Sequence, residues 1–150
     1  MPVHVSRSGG RRGDLRKVGR WGRAVLQAAG CPDHELSVVL CDDPFIRGLN
    51  AEWRERDRAT DVLSFPQDGP EGPLLGDLVI SVQTAARQAA EHGHDLDAEL
   101  QVLMVHGICH LLGHDHHERE QTARMRQVED RLLTVLGVRR DGLVGRAAPS

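Results

Sequence analysis

Nine histidines occur in the 150-residue chain, and five of them fall between residues 106 and 117. His106 and His110 are four residues apart. On a helix they would project from one face, about 40° apart around the axis. Two imidazoles placed in this way can share one metal ion. Gly113 permits a positive-φ helix end, after which the chain can turn back. His116 is then in reach as a third ligand. Three imidazoles leave a fourth position open for water, as a catalytic zinc centre requires.

The pattern H-x3-H-x5-H, with glycine three residues past the second His, has the ligand spacing of the metzincin zinc site. His114 and His117 are neighbouring alternatives, and the spacing favours His116. The competing reading is a His-rich, solvated helix end. The glycine in register and the apolar residues around the pair speak against it. Cys109 falls off the His face and reads as core, so a closed thiolate site is not expected. One part of a zinc peptidase is missing. The residue after the first His would be a glutamate general base, and here it is Gly107. No Met-turn is evident, since Met125 lies in a predicted helix. An ordinary metallopeptidase is disfavoured. The metal would have to lower the pKa of its water unaided, a base would have to come from elsewhere, or the substrate would have to bring its own nucleophile, as RNA does through its 2′-OH.

The elements that must position these residues are readable from periodicity and punctuation. Strands are predicted at Pro2-Val3-His4-Val5, ending at the Gly9-Gly10 loop, at Glu35–Cys41, at Thr60–Phe65 and at Leu75–Ser81. Asp42-Asp43-Pro44 reads as a turn, with a short helix from Phe45 to Arg54. Further helices are predicted from Asp14 to Gly30, from Val82 to Gly93, from Asp95 or Asp97 through Ile108 to Gly113, and from Arg119 to Leu136. About four strands and five helices give an α+β fold, one sheet with helices packed on it. No repeat or interdomain linker is visible, so one domain over residues 1–150 is expected. Its basic segment 6–13 and polar tail 139–150 are expected to be flexible.

Composition narrows the classes. With 39% hydrophobic and 27% charged residues, pervasive disorder is excluded. No apolar run approaches the ~20 residues of a bilayer span, and no apolar stretch of signal-peptide type follows Met1. Cys31, Cys41 and Cys109 form no framework and read as reduced thiols of a cytoplasmic protein. Two Phe, two Trp and no Tyr make a poor base-stacking inventory. Residues 1–30 carry a net charge of +6 and residues 31–150 a net of −9. A basic start on an acidic body suits nucleic acid, or is simply a solvated helix face. Of the nineteen basic residues all but Lys17 are arginine, whose fork matches phosphate.

Three stretches, in order, resemble one known family. His106-Gly107-Ile108-Cys109-His110-Leu111-Leu112-Gly113-His114-Asp115-His116 resembles the HGxxHLxGYDH signature of the YbeY endoribonucleases. Leu49 to Arg54, Asp57 and Thr60 to Pro66 resemble that family's LNxxYRxxDxxTDVLSFP block. Leu75 to Ser81 resembles its LGDIxIS strand. The resemblance runs from about Glu35 to Leu136, with His114 and Trp53 standing where the signatures have Tyr. It implies a small mixed four-stranded sheet surrounded by helices. It also implies single-strand-specific RNA cleavage, 16S rRNA 3′-end maturation and ribosome quality control, with rRNA and the small ribosomal subunit as partners. His106, His110 and His116 fall on the family's metal ligands, and Arg54 on the arginine of its Tyr-Arg pair.

The mechanism expected from this is Zn²⁺ on the three histidines, with Ni²⁺ or Co²⁺ as alternatives. Arg54 would offset charge on the transferring phosphate, and without the resemblance it would read as an ordinary surface arginine. Arg56 and Arg58 would extend a phosphate track, with Asp57 pairing one of them. His114 is a candidate phosphate donor. Asp115 and Glu118 are candidates for orienting a ligand histidine. Asp61 and Asp77 read as turn or capping residues, Trp53 as core, and Ser64 as lacking the adjacent base a nucleophile needs. Two other readings are a metallohydrolase acting on a non-RNA substrate and a non-catalytic, zinc-containing ribosome-associated factor. Sequence leaves the oligomeric state open.

Overall fold

The protein is described from a computed structural model, over residues 3–8, 14–68, 71–113 and 119–138. Four strands form one mixed sheet: β1 (Val3–Ser8), β2 (Glu35–Cys41), β3 (Val62–Pro66) and β4 (Leu74–Ser81), in the order β1-β2-β4-β3. β1, β2 and β4 run parallel, and β3 closes one edge antiparallel to β4. Among the described residues five helices pack with this sheet: α1 (Leu15–Ala28), α2 (Asp43–Arg54), α3 (Val82–His92), α4 (Leu96–Leu111) and α5 (Arg119–Val135). The α+β reading and the element count hold. β1 runs through Ser8, so residues 6–8 are strand, while residues 9–13 and 139–150 lie outside the described part.

Alternation along the strands splits the core in two. Leu36, Val38 and Leu40 of β2 and Leu78 and Ile80 of β4 join the main core with α1, α3, α4 and α5. Cys41, Val79 and Leu63 face the other way, where Ile46 of α2 covers them. α4 is the central helix. Leu100, Leu103, Met104, Ile108 and Leu111 are all fully buried, each contributing about 1.5–3 kcal/mol. Asp95 caps its start, its Oδ1 accepting the Ala98 N–H at 2.8 Å. Past the Leu112 C-cap, Gly113 takes φ 95°, the left-handed turn expected from sequence.

Two local readings change. Asp42–Pro44 is not a turn before α2 but its beginning. Asp42 is the N-cap, its Oδ1 accepting the Phe45 N–H at 3.1 Å, and Pro44 sits in the first turn, where a missing N–H costs nothing. Asp77 is not a turn residue either. It lies within β4 opposite Phe65 and accepts a hydrogen bond from Gln67 Nε2 at 2.9 Å. Asp61 does cap, its Oδ1 accepting the Val62 N–H at 2.8 Å at the start of β3.

All three cysteines are free and buried. Burial, with Asp42 and Asp43 nearby, pushes the Cys41 thiol up to about 12. Among the described residues no helix is long and apolar enough to cross a membrane.

Candidate metal centre on helix α4

His106 and His110 stand one turn apart near the end of α4, both half-buried. Their Nε2 atoms lie 3.1 Å from each other, with the rings nearly perpendicular at 82°. Two nitrogens on one tetrahedral zinc, each at about 2.0–2.1 Å, would be about 3.3–3.4 Å apart. The observed convergence is within a few tenths of an ångström of that edge, so the pair fits a shared metal ion. Among the described residues no group of three or more His, Cys, Asp or Glu side chains is placed to hold a metal. The third ligand of the sequence reading, His116, lies in residues 114–118, outside the described part, as do His114, Asp115, His117 and Glu118.

The other ring nitrogen of His106 makes a contact that sequence reasoning missed. His106 Nδ1 lies 2.7 Å from Oε2 of Glu129 on α5. Glu129 is only 7% exposed and sits among buried Met125, Leu132 and Leu133. The signal was present in the sequence. Residues 125, 129 and 132 follow helical spacing, so a carboxylate occupies the apolar face of an amphipathic helix.

Gly107 explains the missing general base. A β-carbon there would stand 2.6 Å from Leu78 Cδ2 and 3.4 Å from Ser64 Oγ. This point of α4 is pressed onto the sheet, leaving no room for the glutamate of a zinc peptidase. Cys109 is wholly buried, as its position off the His face implies.

Arg54 ends α2 on the opposite face of the sheet and reaches the edge strand β3. Its Nη2 donates to the Ser64 carbonyl, and its guanidinium carbon lies 5.3 Å from the centre of the Phe65 ring. The Ser64 hydroxyl points to the carbonyl of Gly107 at 3.5 Å, the limit of a hydrogen bond. One residue of β3 therefore touches both the arginine and the backbone next to His106. Ser64 has no described base beside it.

Beyond Arg54 the chain is held by α2 itself. Glu55 adopts φ 57°, Arg56 N–H donates to the Asn50 carbonyl at 3.1 Å, and Asn50 Nδ2 donates to the Arg58 carbonyl at 2.9 Å. Asp57 pairs with neither Arg56 nor Arg58. It forms a two-pronged contact with Arg47, at 2.7 and 3.3 Å, which holds its carboxyl below the usual range. Arg58 lines an open groove of about 670 Å³ with Asp43, Arg47 and Asp57, and neither imidazole is among its walls. Trp53 is not core: it is 63% exposed.

Comparisons with known proteins agree with one another. The sequence model of the family described as Endoribonuclease YbeY matches residues 14–137. The chain is 46% identical to "Endoribonuclease YbeY" of Heliobacterium modesticaldum, across 79% of this chain and 80% of that one. It is 46% identical to the protein of the same name from Aquifex aeolicus, across 80% and 82%. It is 52% identical to the chloroplastic enzyme of Arabidopsis thaliana, across 75% of this chain but 20% of that much longer one. The fold resembles the solution structure of TM1509 from Thermotoga maritima, with TM-score 0.62 and 21% identity, covering 99% of this chain and 97% of that one.

Proposed function

This chain belongs to the YbeY endoribonuclease family, and from that membership we propose that it cuts single-stranded RNA during rRNA maturation, with the histidines of α4 at its reactive centre. The observation that carries the site assignment is the convergence of His106 Nε2 and His110 Nε2 at 3.1 Å. His106, His110 and His116 would hold the metal, Zn²⁺ first, with Ni²⁺ or Co²⁺ as alternatives. When bound, that ion supplies Lewis acidity toward a phosphoryl oxygen or a water. Arg54 supplies the cationic fork. One of its nitrogens is committed to Ser64, and its remaining N–H donors stay available for phosphate. Arg56 and Arg58 extend the track, and Asp115, Glu118 and His114 keep the roles the sequence suggests for them. The substrate would be the 3′ end of 16S rRNA on the small subunit, in the cytoplasm.

Gly107 speaks against a peptidase. With Leu78 packed against it, no side chain can enter to act as base at that position. No observation favours a non-catalytic ribosome factor. The test is substrate choice. The metal-loaded protein should cut a single-stranded rRNA 3′-end oligonucleotide and spare both its duplex and a peptide library. A 2′,3′-cyclic phosphate on the product would assign attack to the 2′-OH, and a 5′-phosphate would assign it to water. Cleavage of peptides with RNA untouched would overturn the reading.

A further inference from the structure

We propose that Glu129 is the positioning residue of this centre: its carboxylate sets the tautomer and orientation of His106, and so makes the seating of α5 a part of metal binding. The inference rests on reading His106 and His110 as metal ligands. An ionised carboxylate only accepts hydrogen bonds, so a 2.7 Å contact with Glu129 favours the tautomer with its proton on His106 Nδ1. The lone pair of the neutral ring is then on Nε2, the atom that faces His110 Nε2. A ring with the opposite tautomer would offer the metal an N–H instead. Packing does not explain the carboxylate. Glu129 lies between Met125 and Leu132 on a face where a leucine would bury at no desolvation cost. The 2.7 Å contact with His106 is one interaction that offsets that cost. The contact also joins elements 23 residues apart in sequence. Withdrawing α5 would free His106 to rotate or to change tautomer, so zinc affinity and α5 docking are linked.

The experiment compares wild type, Glu129→Gln, Glu129→Leu and His106→Ala. Zinc affinity is measured by competition with a chromophoric chelator. The tautomer of His106 in the metal-free protein is read from imidazole ¹⁵N shifts, and metal-free stability from thermal unfolding. The expected result is an Nδ1–H ring in wild type that moves toward Nε2–H in Glu129→Leu. Zinc Kd should rise about 10- to 100-fold in Glu129→Leu, and by less in Glu129→Gln, which keeps an acceptor. Metal-free melting should not follow that order, whereas a merely structural role would make affinity track melting. If Glu129→Leu fails to fold, Glu129→Gln carries the same comparison. Equal zinc Kd in wild type and the Glu129 variants, or an Nε2–H ring in wild type, would overturn the inference while leaving the metal site intact. Equal zinc binding by wild type and His106→Ala would instead overturn the metal-site reading on which it rests.

Discussion

Gly107 and Leu78 are in such close approach that a β-carbon on the glycine would come within 2.6 Å of a leucine methyl. Leu78 is fully buried, so it has little room to withdraw. This contact sets how near the His-bearing helix lies to the sheet. Gly107→Ala is expected to destabilise the protein by about 1–3 kcal/mol, the usual cost of overpacking a core. Leu78→Ala will be destabilising alone, but the double variant should cost less than the two singles together. Urea unfolding of the four proteins measures this, and strict additivity would show that the contact is not the source of the strain.

Arg54→Ala should lower RNA turnover by about 10²–10³-fold, the loss typical of removing one donor to a developing charge. Zinc affinity should not change, because among the described residues Arg54 reaches the centre through Ser64 and contacts neither imidazole. Arg54→Lys should recover little, since a point charge cannot hold a strand carbonyl and grip phosphate with a fork. Turnover at the wild-type level in Arg54→Ala would remove this residue from the mechanism.

His94 and Glu99 form a second buried contact, His94 Nε2 lying 2.7 Å from Glu99 Oε1, with side-chain exposures of 8% and 0%. It ties the turn after α3 to the first turns of α4. His94→Leu removes one hydrogen-bond partner from a buried glutamate, and should cost about 1–3 kcal/mol. Chemical denaturation at pH 7 would show it. A loss under about 0.5 kcal/mol would mean that the other surroundings of Glu99 suffice.

Asp43 joins the start of α2 to the start of α3. Burial raises its pKa, but hydrogen bonds from Ser81, Thr84 and Arg87 outweigh that and hold it below its ordinary 3.8. The Ser81 and Thr84 hydroxyls donate at 2.6 and 2.7 Å. A depressed carboxylate gives stability that is complete above its unfolded pKa and is lost as pH falls through the folded value. Asp43→Asn should therefore cost about 1 kcal/mol at pH 7, a figure discounted for the carboxyl's partial exposure. The cost should shrink at pH 3 and below. A penalty that is the same at both pH values would show that charge has no part in it.

Much of this architecture was legible because single residues punctuate it. Asp14, Asp95, Gly93 and Gly137 mark helix ends wherever their side chains or positive φ values require them. The His106–His110 spacing, together with Gly113, is the sequence signal for the proposed centre, and α4 does bring the two imidazoles together. Other features depend on tertiary pairing. Asp42-Asp43-Pro44 reads equally as turn or helix start, and only the Asp42 cap and the Ser81 contact decide. Asp57 has two arginines beside it in sequence yet pairs with Arg47, one helix length away, because α2 folds the chain back on itself. Trp53 shows apolar composition but lies on a solvent face of α2. Glu129 was visible only as a misfit on an apolar stripe, with nothing in the sequence to name His106 as its partner.

The α4 histidines are proposed as the catalytic metal site of an endoribonuclease. The direct measurement is cleavage of a single-stranded rRNA 3′-end oligonucleotide by wild type and His110→Ala purified in parallel, each with and without chelator, alongside zinc content and circular dichroism. One zinc per wild-type chain and cleavage by wild type alone are expected. Chelator should abolish that cleavage, and His110→Ala should be folded, zinc-poor and inactive. Equal cleavage by both proteins, or cleavage by wild type that survives complete removal of the metal, would contradict that assignment.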